Sequence, residues 1–113
     1  MKNQLLPYKI IDTGDMSQST LTSKVTDIRY LDNIAIFFTF TGTPTGTFHV
    51  FGNMTNDTTN GVEITLPSSP VASGAAGTIL IDMNQQAYPY IYVTYTKSSG
   101  TGSVNVFITG KSI

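Results

Sequence analysis

Residues 33–53 read Asn33-Ile-Ala-Ile-Phe-Phe-Thr-Phe-Thr-Gly-Thr-Pro-Thr-Gly-Thr-Phe-His-Val-Phe-Gly-Asn53, and this stretch decides the fold. Ile34, Ile36, Phe38 and Phe40 share one parity, and Phe48 and Val50 resume it beyond the Thr-Gly-Thr-Pro-Thr-Gly turn. Successive side chains of a strand point to opposite faces, so an apolar period of two marks a half-buried strand. The expected unit is a pair of strands joined by a hairpin at residues 41–46, with Ile34, Ile36, Phe38 and Phe40 in the core. Phe37 and Phe51 fall on the outward parity.

Working outward, three more runs carry the same period. Residues 78–83 turn Ile79 and Ile81 inward, residues 90–96 turn Ile91, Val93 and Tyr95 inward, and residues 103–109 turn Val104, Val106 and Ile108 inward. Asn60-Gly61 is a hairpin signal ahead of a short run at 62–66. Residues 67–77 are a small-residue connection, longer than a hairpin needs, and are expected to cross from one sheet to another. Between 16 and 30 the chain is rich in Ser and Thr, which predicts strands at 20–25 and 27–30. A short helix over 23–30 competes, because Leu21, Val25 and Ile28 also fit spacings of four and three. Residues 1–15 place Leu5, Leu6, Tyr8, Ile10 and Ile11 around Pro7, which cannot donate to a ladder; they form an edge strand or an arm reaching a neighbouring subunit. The fold class is therefore all-β: one antiparallel β-sandwich, jelly-roll-like, of about seven to eight strands, with 1–15 as edge strand or arm and 16–113 as its body.

Composition narrows function by exclusion. Charged residues make up 12% of the 113, against about 25% in ordinary domains. The six Lys and Arg are scattered, so no basic patch for nucleic acid is expected. There is no cysteine for a disulfide, a thiolate nucleophile or a thiolate metal site. The first dozen residues are interrupted by Pro7 and Lys9, which predicts no cleaved leader and synthesis in the cytoplasm. No run approaches the roughly 20 apolar residues of a membrane-spanning helix.

Candidate chemistry is thin. His49 is the only histidine, and its neighbours in sequence offer no titratable group to orient it. Asp12 with Asp15, and Asn53, Asn56, Asp57 with Asn60, are the oxygen-rich clusters; they read as turn residues before they read as a weak cation site. The expectation is a non-enzymatic protein without cofactor or metal. Aromatic residues say more. Tyr88, Tyr90 and Tyr92 share an outward parity, as do Phe37, Phe51 and Phe107 on their strands. Together with Leu5, Leu6 and Tyr8 of the first segment they are the candidate partner interface, whether for protein or for sugar, unless loops cover that face.

Four segments carry a resemblance. Thr-Gly-Thr-Pro-Thr-Gly-Thr-Phe (41–48), Ala-Ser-Gly-Ala-Ala-Gly-Thr-Ile-Leu-Ile-Asp (72–82), Tyr-Pro-Tyr-Ile-Tyr-Val-Thr-Tyr-Thr-Lys-Ser-Ser-Gly-Thr-Gly (88–102) and Ile-Thr-Gly-Lys (108–111) resemble the capsid cement or decoration proteins of short-tailed bacteriophages. The resemblance covers roughly residues 30–113. It implies a jelly roll on the outer surface of the virion head, bound between subunits of the major capsid protein after the shell expands. It also implies a homo-oligomer, dimer or trimer, and no enzymatic activity. Similar sequences carry a tryptophan near 60–64, where this chain has Gly61, Val62, Glu63 and Ile64. The alternative implied by related sandwiches is a tail, baseplate or carbohydrate-binding receptor module.

Overall fold

A computed structural model describes residues 4–66, 71–84 and 88–112; the side chains of residues 4, 6, 71–73 and 84 lie outside that description. Ten strand segments and no helix form among the described residues: β1 Gln4–Asp15, β2 Thr20–Thr22, β3 Thr26–Asp27, β4 Asn33–Gly42, β5 Thr45–Asn53, β6 Val62–Glu63, β7 Val71–Ser73, β8 Gly77–Asn84, β9 Tyr90–Ser99 and β10 Gly102–Lys111. They make two antiparallel sheets. Sheet A has the order β1-β10-β4-β8, and sheet B has the order β2-β9-β5-β6, with β3 also on β9 and β7 also on β5.

The order follows from one rule. Taking β2 with β3, and β6 with β7, as interrupted strands leaves eight, and these pair first with last, second with seventh, third with sixth and fourth with fifth. The chain is one long antiparallel hairpin rolled over on itself. The β10·β4 and β5·β9 ladders then close the two sheets. That is a jelly roll, as the strand pattern leads one to expect.

Period two placed the core correctly. Ile36, Phe38, Val50, Ile91, Val93, Tyr95, Val104, Val106 and Ile108 are all fully buried. Phe48 reaches across from sheet B, its ring 4.5 Å from Phe38, 5.9 Å from Phe40 and 4.9 Å from Tyr95.

The 41–46 turn is not a hairpin. β4 lies in sheet A and β5 in sheet B, so their inward residues meet as opposing layers and not as ladder neighbours. Gly42, at φ +85°, supplies the left-handed residue that turns the chain out of sheet A. The Thr43 N–H then donates to the Thr101 carbonyl at 2.9 Å, and the Pro44 carbonyl accepts from Gly74 at 2.7 Å, which pins the corner. Residues 23–30 form no helix, because Ser23 is bound to β9 twice: its N–H donates to the Val93 carbonyl at 2.8 Å, and its hydroxyl accepts from the Val93 N–H at 2.8 Å. The strands expected at 20–25 and 62–66 shrink to β2 and β6, and the one expected at 27–30 is replaced by β3, which overlaps it only at Asp27. Residues 71–73, expected to be patternless, form β7; the crossing to sheet A follows at 74–76.

Two outcomes test this packing. Phe38→Ala should lower unfolding free energy by about 3–5 kcal/mol in chemical denaturation, a large share of the roughly 5–15 kcal/mol available. The Tyr95 hydroxyl is buried with no hydrogen-bond partner among the described residues. Tyr95→Phe should therefore leave stability unchanged or raise it by about 1 kcal/mol.

Candidate functional site

The two outer faces of the sandwich differ. On sheet A, Phe37 of β4 sits directly across from Leu80 of β8 on one side and Phe107 of β10 on the other. Phe107 in turn sits across from Lys9 of β1. The result is an apolar row over β8, β4 and β10, ended on β1 by Lys9. The Phe37 and Phe107 rings meet edge to face at 6.3 Å, and Lys9 Nζ lies 5.7 Å above the Phe107 ring. Leu80 is 58% exposed and Phe37 40%. With Pro7, Ala35 and Thr109 they line an open groove of about 370 Å³. Among the described residues, no segment lies across this row.

Sheet B carries its own cover. Phe51 and Tyr92 pair across β5 and β9 and stack at 5.1 Å with planes 3° apart. Tyr92 has the outward parity of Tyr90 but is only 4% exposed. Its hydroxyl donates to the Thr58 carbonyl at 3.3 Å, in the loop at 54–61. Asp57 organises that loop. Its carboxylate accepts from the Thr59 N–H at 3.1 Å, the Thr55 and Thr59 hydroxyls at 3.0 Å, and Asn53 Nδ2 at 3.0 Å. The oxygen cluster of the sequence is thus a self-satisfied turn. The Thr59 N–H first, then the hydroxyls of Thr55 and Thr59, hold the Asp57 carboxyl below its ordinary value.

The remaining sequence candidates scatter. Leu5 packs against the core, while the side chain of Leu6 is outside the described residues. The Tyr8 hydroxyl donates to Thr26 Oγ1 at 2.8 Å, tying the edge of sheet A to β3. Tyr88 is half-buried over Gly52, where a Cβ would come within 2.9 Å of its ring, and burial pushes its phenol up to about 12. Tyr90 lies at one end of the sandwich with the Arg29 guanidinium 6.0 Å from its ring and 5.7 Å from that of Tyr30. Arg29 is held by a two-pronged pair with Asp27, its NH2 group at 2.7 Å and Nε at 3.0 Å. The nine candidates therefore do not form one patch. Phe37 and Phe107 stand together, joined by Leu80.

Sequence reading missed two partnerships. Leu80 had a signal, since it alternates with the inward Ile79 and Ile81. Glu63 had none: it lies fourteen positions from His49, yet the β5·β6 pairing brings its Oε2 within 2.8 Å of Nδ1. Thr47 Oγ1 lies 3.0 Å from Nε2, so both ring nitrogens are engaged. The imidazole ties β6 to β5. Among the described residues, no three His, Cys, Asp or Glu side chains gather as a metal site would require.

No family model matches the sequence, and no curated protein matches it either. Solved structures do match the fold. The SPBc2 prophage-derived protein YomS superposes with a TM-score of 0.59 at 8% identity, over 97% of this chain and 96% of its own. A chain in the structure of infectious bursal disease virus, Gx strain, gives 0.59 at 12% identity, with 98% of this chain matching 32% of it. The PBSX exported protein XepA gives 0.55 at 9% identity, over 97% of this chain and 36% of its own. The shared jelly roll thus spans one of these chains almost end to end and about a third of the other two.

Asp57 carries a testable consequence. Burial first, and then the Asp57 charge, raise the Tyr92 phenol above 10.0. Asp57→Ala should move the Tyr92 titration back toward 10.0, read by NMR of the ring, and speed amide exchange at 58–61. Because the Asp57 carboxyl is lowered, its contribution should be complete above pH 3.8 and disappear as the pH falls through the native value.

Proposed function

We propose that this chain is a structural protein of a bacteriophage virion, and within that class a non-enzymatic cement or decoration protein on the outer surface of the head. Its partner in this reading is the major capsid protein, and its docking surface is the outer face of sheet A. The observation that carries the reading is the uncovered row of Leu80, Phe37 and Phe107, in register on three neighbouring strands. Water-exposed apolar side chains placed side by side are stabilised when a second surface removes them from water, and interface centres are rich in aromatic side chains. The end-to-end likeness to a prophage-derived protein supports the phage assignment. The sparse charge, 12% of residues, supports close packing against neighbours.

A second reading, a tail or baseplate module that binds carbohydrate, is favoured by one observation. At the end of the sandwich Tyr30 is 69% exposed beside Arg29, Asp27 and Tyr90, an arrangement of flat rings and hydrogen-bonding groups that suits a sugar ring. A glycan array separates the two readings, because only the second expects a signal abolished by Tyr30→Ala.

For the head reading, heads stripped of the protein should rupture at lower temperature and milder osmotic shock than decorated ones. Adding the protein back should restore them. Phe37→Asp, on the outward face, should weaken binding to heads by about thirtyfold, or about 2 kcal/mol, without unfolding the protein. Equal resistance of stripped and decorated heads would refute the assignment.

A further inference from the structure

Edge strands present unpaired backbone groups, and proteins usually blunt them with brevity, proline, bulges or charge. Three edges here are blunted. β1 carries Pro7, three register irregularities and Thr13 at φ 53°. The edges of sheet B are built of pieces two or three residues long. β8 differs. It pairs with β4 through eight consecutive residues without a shift, contains no proline, and has Asp82 as its single charge. Among the described residues, nothing hydrogen-bonds its outer edge.

We infer that β8 is a self-pairing edge, on which a second copy of this chain adds its own β8 in antiparallel register about a two-fold axis. A two-fold normal to the sheet keeps outward residues outward, so Leu80, Thr78 and Asp82 must face one another. Setting Asp82 across Asp82 opposes like charges, and setting it across Leu80 places a carboxylate against an apolar side chain. Setting Leu80 across Leu80 avoids both. Thr78 of each copy then faces Asp82 of the other, a hydroxyl donor to a carboxylate, and Ile79 faces Ile81 on the inner side. Two four-stranded sheets become one, and the outer row runs unbroken as Phe107, Phe37, Leu80 and the same three in reverse. The inference deepens the head-protein reading by saying how copies meet and what doubled face they present. It is tested on the isolated protein, so its failure leaves head binding to be judged separately.

The absence of cysteine makes the register directly readable. Facing residues of an antiparallel pair have Cα atoms about 4.5–5.5 Å apart, within disulfide reach. A residue two positions from the axis lies about 13 Å along the strand from its own copy. Under mild oxidation Leu80→Cys should form covalent dimers about tenfold or more faster than Thr78→Cys or Asp82→Cys alone. An equimolar mixture of the last two should crosslink to each other. In sedimentation, the unmodified protein should dimerise with concentration, and Leu80→Lys should raise the dissociation constant by about tenfold or more. Its circular dichroism should be unchanged, and so should its melting at concentrations where both proteins are monomeric, since Leu80 points outward. Three results would overturn the inference: a monomer at every concentration, Leu80→Cys crosslinking no faster than Thr78→Cys, or a dimer indifferent to Leu80→Lys.

Discussion

Phe48 is the side chain on which the two sheets depend. It leaves β5 in sheet B and lies among Phe38 and Phe40 of β4 and Tyr95 of β9, so one ring contacts both layers. Strands within each sheet are held by their ladders, but the sheets share no ladder. Their relative position rests on the corners, on the Tyr8 to Thr26 and Lys24 to Ile10 hydrogen bonds at one edge, and on this interdigitation. Aromatic rings at 4.5 to 5.9 Å set the spacing that the smaller Ile and Val residues around them then fill.

That dependence explains what could be read from the residues. Alternation in 34–40, 91–95 and 104–108 reports which side chains share a face, and those side chains are buried as the alternation requires. It does not report which strand lies alongside. Gly42 and Pro44 suit a hairpin and an inter-sheet corner equally, and only the wider pairing of β4 with β10 and β8 decides for the corner. Tyr92 shows the same limit on the outer surface. Its parity is outward, but the loop organised by Asp57 folds over it, and a loop's resting place depends on contacts far along the chain. His49 and Glu63 meet for a similar non-local reason.

The asymmetry of the two outer faces orders the functional reading. Sheet B lays its own loop over Tyr92 and engages both nitrogens of its histidine within the sheet. Sheet A leaves Leu80, Phe37 and Phe107 in a continuous line, and β8, the strand that carries Leu80, is the long unblunted edge. Face and edge therefore lie side by side. A partner laid on the face and a second copy joined at the edge are compatible, because they use different groups: side chains in one case and backbone in the other.

The most direct measurement is the location of the protein in the particle. Virions disrupted into heads and tails, fractionated on a gradient and probed for this chain, should show it with the heads, in a copy number that scales with the capsid subunits. Recovery with tails or baseplates, or with neither fraction, would contradict the assignment to the head surface.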